Sequence, residues 1–584
     1  MFTRVALPAA LAMWLLSLRN VHVAGMGDLG LVQVLPVIFW VAGGLLTLGF
    51  CAALLDRRTP GWLYAGYVLA LIAMLHATAP LLYSQLSNAW AWKHVSMVDT
   101  ILRLGQLPIA HDHGLDVYNQ WPGFFALNDM VVQATGIDSA LTYAAWAPPV
   151  ADALLLGPLI LIYRSFSRSR RLSWAAAWVF YTCFWVTQDY FAPQTLTFLL
   201  YVCVVAAVVW RLPRSVTRIA RKREAGTDSG SPVRTPDPGP TARAREAAQR
   251  PSVGWILLVL LPVAAIVCSH PLTPLMLIAA LVALALPRRN RRIVLPVLLG
   301  TVVLTLAWDL TVARPFISAN LNEMVQGLTQ PAENASAGFL DLSAASDAQV
   351  LVAWTDRALS AGVWLLAAMA LVFRPALRRT PLPLLAVAPL PLLALNSYDG
   401  EMLFRAYMFA LPAIAFGAAA LLAGGRRWVR ALVLPVVLLL LFAGFAISYY
   451  GKEYALYFTR SETVAARWLF SHAPPGSVVA AITEDFPAGY TDYDQHQRVW
   501  ITLEGEWVPH RFALDPAGTL ESLVGERKPV YLMLNRAQEA RIHATGWFPT
   551  SLKKMDSVLA AHPDFRVVYR NNDAVVYLFT PPRS

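Results

Sequence analysis

About thirteen apolar runs, separated by loops whose charge alternates, constrain this chain more than any other feature. A hydrocarbon core about 30 Å thick is crossed by about 20 apolar residues in helix, with about 17–25 tolerated. By that measure spans fall near residues 4–18, 31–55, 61–83, 144–163, 172–187, 193–211, 254–269, 272–287, 293–312, 358–374, 382–396, 403–423 and 431–449. Inside lipid the backbone must satisfy its own N–H and C=O groups, so these runs fold as helices. The first, Val5 to Leu18, lacks a clear small-x-small cleavage site and is followed by more spans, so it reads as retained.

Composition excludes the main alternatives. At 57% hydrophobic and 14% charged residues, the chain is far from the soluble average of about 45–50% and about 25%. Neither a soluble enzyme nor a disordered scaffold is built this way. The net charge of +11 sits in loops between the apolar runs: Arg57 and Arg58, Arg164 to Arg171, a long loop at 212–253, Arg288 to Arg292, Arg374 to Arg379 and Arg426 to Arg430. That is the positive-inside pattern of a membrane protein rather than a nucleic-acid face. It predicts a cytoplasmic N-terminus and an extracytoplasmic C-terminus. Cys51, Cys183, Cys203 and Cys268 lie within apolar runs with no CxxC spacing and read as buried apolar residues.

The expected fold class is therefore an all-α polytopic membrane protein with a small C-terminal α/β domain. Residues 1–60 form N-terminal helices and residues 61–449 the membrane core, with an outer loop at 84–143 and a cytoplasmic loop at 212–253. Residues 450–584 form the extracytoplasmic domain. The stretch Arg214 to Arg250, rich in Arg, Pro, Gly and Ser, reads as a disordered linker. In the outer loop, Val95, Val98, Ile101 and Leu102 recur at helical spacing before Gly105 and Pro108, predicting an amphipathic helix on the membrane surface. In the tail, SVVAAI, PVYLML, FRVVY and AVVYLF read as strands, and Asn571 to Asp573 close a hairpin.

The chain has no GxSxG, HExxH, P-loop or Gly-rich dinucleotide turn. Functional polar groups are therefore sought at membrane depth or at the outer ends of the spans, where burying them is costly. Asp309 reads as nearly the only acid inside an apolar run. Four clusters stand at outer turns. The first joins Lys93, His94 and Asp99 to Asp116, Tyr118 and Trp121. Carboxylates beside aromatic rings suit a sugar, while Asp99 alternatively pairs with Arg103 at i,i+4 and His111 to His113 offer metal ligands. The second, QDYFAPQ, holds Asp189, Tyr190 and Gln194 for a sugar hydroxyl or a metal. The third is His270 before Pro271. The fourth pairs Glu401 with Arg405, either as a helix-surface ion pair or with Arg405 as a phosphate anchor.

This layout resembles the GT-C class of membrane glycosyltransferases, which use polyprenyl-phosphate or polyprenyl-diphosphate sugars. The shared features are a first outer loop with a surface helix running into Gly105 (WKHVSMVDTILRLGQLP), the Tyr118 to Pro122 element, the acidic turn QDYFAPQ, the loop from Arg314 to Arg357 and the C-terminal domain. The chain departs from that class at the start of the surface helix, where Asn88, Trp90, Trp92 and Lys93 stand in place of the usual acid.

The resemblance implies transfer of a sugar from a polyprenyl-phosphate donor to a glycan, lipid or protein acceptor at the outer face of the plasma (inner) membrane. Asp116 and Asp99 are then the base candidates. Asp189, Tyr190, Gln194, Tyr118, Trp121, His94, His270 and Glu401 hold the sugar or substrate, Arg405 and Lys93 the phosphate. Asp189 holds a divalent cation, Mg or Mn, if one is used. The alternatives are a non-catalytic binding or assembly protein and a polymerase or translocator for lipid-linked glycans.

Overall fold

The computed structural model describes residues 2–56, 58–108, 115–212, 251–327, 329–336, 338–339, 342–394, 400–424, 427–525 and 528–580. The expected linker at 214–250 and the His111 to His113 turn lie outside them.

Seven helices among the described residues are long and apolar enough to cross a membrane: Val37–Leu55, Ala147–Phe166, Pro193–Arg211, Arg288–Thr311, Asp347–Phe373, Met402–Leu422 and Arg430–Leu456. Shorter apolar helices, Phe2–Leu18, Gly61–His76, Val253–Ser269, Thr273–Ala285 and Leu382–Ala394, pack among them. Outward-facing leucines such as Leu257, Leu261 and Leu440 are about two-thirds exposed. In water they would be a liability; in lipid they are the solvent-facing surface.

Helix Met402–Leu422 runs through the middle of the bundle with almost every residue buried. Its Ala and Gly residues let backbones approach, and a Cβ at Gly417 would stand 3.1 Å from that of Ala367. Aromatic packing fills the other contacts, with Phe50 stacked on Trp178 at 4.2 Å.

The C-terminal domain is a five-stranded sheet in the order β2-β1-β3-β5-β4. Strands β1 (Val478–Ala481), β2 (Gln497–Trp500) and β3 (Val530–Asn535) are parallel, while β5 (Ala574–Phe579) runs antiparallel to β3 and to β4 (Phe565–Arg570). The expected hairpin forms: the Asn571 side-chain oxygen accepts the N–H groups of Asp573 and Ala574. Strand β2 is short, and only Val499 and Trp500 of its four residues favour a strand, so pattern alone marks it weakly. Helix Arg460–His472 opens on a capping box of Thr459 and Glu462.

The predicted surface helix is Ala89–Leu104. It is wedged between bundle and domain: Val95, Val98 and Ile101 share one apolar core with Ala465, Leu469, Phe486 and Trp500. Arg103 does not pair with Asp99; it binds Asp494 at 2.6 Å and Asp492 at 3.3 Å in the domain. The helix forms as expected, but its apolar stripe packs into a core shared with the C-terminal domain where periodicity alone had it facing the membrane surface.

Candidate functional site

The site lies where helix ends meet the domain. Asn88, with positive φ, caps helix Ala89–Leu104 by accepting the Trp90 N–H at 2.9 Å. The helix turns Lys93 and His94 inward, and both are buried. The Lys93 ammonium sits 4.4 Å above the Trp90 ring, 4.8 Å from Tyr118 and 4.6 Å from Tyr490, a cage that stabilises a desolvated cation. The His94 ring stacks parallel to Tyr190 at 5.8 Å. Its Nδ1 lies 2.9 Å from the Phe191 carbonyl. A carbonyl only accepts, so Nδ1 carries the proton. Burial, aided by the Lys93 charge, pushes the His94 pKa down to about 3, so the ring is neutral near pH 7.

Turn Gln188–Gln194 splits two candidate site residues apart. Tyr190 faces the cage, in the field of Glu401, Tyr118, Arg405 and Glu484. Asp189 points the other way, into the bundle. Its Oδ2 accepts from Tyr449 at 2.8 Å and stands 2.9 Å from His76 Nδ1, which is also 3.3 Å from Asp152 Oδ2. Asp152 and His76 were missed in the sequence. Asp309 is not the sole acid in an apolar run: Asp152 also lies within one, at 144–163, and that position is the available signal. His76, Asp152 and Asp189 offer three ligand atoms within 4.8 Å of one another, the one such group among the described residues. Two ligands about 2.1 Å from a shared ion stand about 3.0–3.4 Å apart at angles between square and tetrahedral. The 3.3 Å separation falls in that range, while the 2.9 Å separation is that of a His76–Asp189 hydrogen bond.

On the cage side, Arg405 donates to Glu401 Oε2 from Nε at 3.2 Å, so the expected i,i+4 pair is present. It also donates to Gln194 Oε1 at 3.3 Å and lies 3.4 Å from His270 Nε2. The tautomer of His270 follows from its other nitrogen. Nδ1 receives the backbone N–H groups of Leu272 and Thr273, both at 3.2 Å, so it is unprotonated and Nε2 carries the hydrogen. Burial and the Arg405 charge hold the His270 pKa well below its usual value. Gln194 gives its oxygen to Arg405, which leaves its NH₂ group buried with no partner. Three donors, Arg405, His270 Nε2–H and Gln194 Nε2–H, therefore gather at one place, beside the Glu401 carboxylate. That arrangement favours a bound oxyanion.

The domain adds Glu484 and Tyr490, on the loop after β1. Neither was found from sequence, because they lie far along the chain in a segment without a motif. Glu484 is hydrogen-bonded to the Trp90 side chain and feels the Lys93 charge, yet burial and the neighbouring Asp485 raise its pKa to about 7. The same loop holds Ala488 and Asp492 at positive φ, a strained conformation for non-glycine residues of the kind that gathers at functional sites.

Asp99 and Trp121 fall outside the cage. The Asp99 carboxylate accepts from Ser139 at 2.9 Å, and burial raises its pKa to about 6. It has no described contact with Lys93, Tyr190 or Arg405. Asp116 opens helix Asp116–Gln120, and its side chain is outside the described residues. Trp121 is buried edge-on against Phe316 at 5.4 Å, and the Gln120 side-chain oxygen accepts the Phe316 N–H, so this element is tied to helix Arg314–Gly327.

No protein-family model and no curated protein matches the chain. Among solved structures it is similar to ArnT from Cupriavidus metallidurans bound to undecaprenyl phosphate, at 13% identity and a TM-score of 0.48, covering 89% of this chain and 98% of that one. The apo state of the same protein gives 12% identity, a TM-score of 0.44 and coverage of 87% and 97%. At these values the site is read from its own residues.

Proposed function

We propose that this chain is a glycosyltransferase of the inner membrane that moves a sugar from a polyprenyl-phosphate donor to an acceptor on the extracytoplasmic side, the side on which its domain lies. The observation that carries the reading is the buried donor set of Arg405, His270 and Gln194 at the level where the helices end. An anion is held there while an apolar tail remains in lipid. The sugar would occupy the space beside Tyr190, Tyr118 and Tyr490, whose rings suit the apolar faces of a pyranose.

In this reading the acceptor hydroxyl oxygen attacks the anomeric carbon and the carbon–oxygen bond to the phosphate breaks. The bonding pair leaves on the polyprenyl phosphate, whose charge Arg405 and Lys93 stabilise. Glu484 takes the hydroxyl proton; a carboxyl with a pKa of about 7 is matched to that task near neutral pH. Asp116 is the other base to test. If a divalent cation takes part, His76, Asp152 and Asp189 would hold it, and it would supply positive charge near the turn that carries Tyr190.

The test is transfer of radiolabelled sugar from a panel of polyprenyl-phosphate sugars by membranes holding wild type, Glu484→Gln, Asp116→Asn, Asp99→Asn and Arg405→Gln. Transfer by wild type that is lost in Arg405→Gln and in one carboxylate variant is expected. No transfer from any donor, with lipid-linked glycan still bound by purified protein, would replace the enzyme with a binding protein.

A further inference from the structure

Glu484 is presented to the cage by a short segment that the domain clamps from behind. Strands β1 and β3 are parallel neighbours, so their carboxyl ends lie side by side, the end at which open α/β sheets bind ligands. Residues Ile482 to Asp485 leave β1 there, and helix Arg536–Thr545 leaves β3 there with Asn535 at its N-cap position. Three side chains, each three residues after the last, take hold of the segment. Gln538 Oε1 accepts the N–H of Ile482 at 2.9 Å and that of Thr483 at 3.5 Å. The Asn535 amide donates to the Asp485 carbonyl at 3.1 Å. Arg541 donates from Nε to Asp485 Oδ2 at 2.8 Å and from Nη2 to Oδ1 at 2.9 Å.

Two parallel hydrogen bonds from one planar guanidinium fix both the place and the plane of the Asp485 carboxylate. Glu484, one residue earlier, turns its side chain to Trp90 and the Lys93 charge. Placement and charge are therefore linked. Asp485 is a buried second carboxylate beside Glu484, and unopposed it would make Glu484 hold its proton more tightly. The other groups that face Glu484 are Lys93 from helix Ala89–Leu104, Arg541 from helix Arg536–Thr545, and the hydroxyls of Tyr490 and Tyr190. Lys93 and Arg541 favour its carboxylate form, and Asp485 opposes it.

We infer that Arg541 is a positioning residue for Glu484: its bidentate bond to Asp485 fixes the segment that carries the base, and its charge offsets the neighbouring acid. The inference rests on the reading of Glu484 as the base of the proposed transfer. Arg541 acts through Asp485 and touches no reacting atom in that reading. Its side chain is 28% exposed, so it can be exchanged without opening the domain core.

The experiment labels the full chain, purified in detergent, with dicyclohexylcarbodiimide, an apolar reagent that reacts with protonated carboxyl groups. Label on Glu484 is followed against pH by peptide mass, with fragmentation to separate it from Asp485. Wild type should lose label with a midpoint near pH 7. Arg541→Gln should raise the midpoint by about one pH unit or more, so that Glu484 labels roughly tenfold faster at about pH 8.5. Arg541→Lys keeps the charge but loses the fork; it should hold the midpoint within about half a unit while transfer falls about tenfold or more. If Arg541→Gln does not fold, Asp485→Asn decides with the opposite sign and should lower the midpoint by about one unit. An unmoved midpoint in Arg541→Gln or in Asp485→Asn would overturn the inference. So would an equal rise in Arg541→Lys and Arg541→Gln, because lost packing would then explain both. Labelling needs no substrate, so the two readings fail separately. Shifted midpoints with no transfer from any donor would refute the transferase and leave the positioning role standing; transfer by wild type with unmoved midpoints would do the reverse.

Discussion

Arg405 pairs with Glu401 and, in the proposed reading, also serves a bound phosphate, so replacing Arg405 and Glu401 separately distinguishes an anion site from a helix-surface ion pair. If Arg405 serves a phosphate, Arg405→Gln removes charge-assisted hydrogen bonds of about 1.5–3 kcal/mol. Polyprenyl phosphate should then bind about 10- to 150-fold more weakly. Glu401→Gln does the reverse, because it removes a negative charge beside the bound anion. At about 6 Å and an effective dielectric of about 20, that repulsion is about 2.8 kcal/mol before screening. The Glu401 side chain is 42% exposed, so solvent and salt reduce the figure to about 1 kcal/mol, and binding should tighten about fivefold. The assay is equilibrium binding of labelled polyprenyl phosphate to the purified protein in nanodiscs at two salt concentrations, with the Glu401→Gln gain shrinking at high salt. Weakening of both variants to the same degree would mean the pair is only structural and refute the anion site. So would an Arg405→Gln affinity within twofold of wild type.

Transferase activity should rise with pH through about 7 as Glu484 loses its proton, and Glu484→Gln should be slow at every pH; an unchanged profile in that variant would remove Glu484 as the base. Glu484 also contributes to stability with a definite sign: its folded pKa lies above its unfolded value, so the folded state binds the extra proton. The contribution is full below about pH 4.5 and is lost as pH rises through about 7, a slope that Glu484→Gln should flatten in thermal melts. His76→Gln leaves Asp152 and Asp189 facing each other without the imidazole between them. It should lower stability by about 3–5 kcal/mol, with Asp152→Asn added to it restoring part of the loss. A Cβ at Gly123 would stand 2.5 Å from both Cys268 Sγ and Ser269 Oγ, so Gly123→Ala should lower stability by about 1–3 kcal/mol, seen as a reduced melting temperature.

The sequence by itself determined what depends on local pattern. Run lengths placed the apolar helices, since a helix in lipid satisfies its own backbone and needs only about 20 apolar residues. Caps and turns were equally legible: Gly105 ends helix Ala89–Leu104 in the left-handed conformation, and Asn571 closes the last hairpin. Residue chemistry at helix ends pointed to Lys93, His94, Tyr190, Gln194, His270 and Arg405, and packing gathered them. Direction and long-range partnership belonged to the tertiary structure alone. Asp189 and Tyr190 are neighbours in the chain yet face opposite sides of one turn, because a turn between two packed helices sends successive side chains to different neighbours. Asp99 stands about 1.7 helical turns from Lys93, and its carboxylate meets Ser139 instead of the cage. Glu484 and Tyr490 enter only because the domain folds back over helix Ala89–Leu104 across nearly four hundred residues of chain. No periodicity or spacing encodes such a contact, because it depends on how two separately formed surfaces fit together.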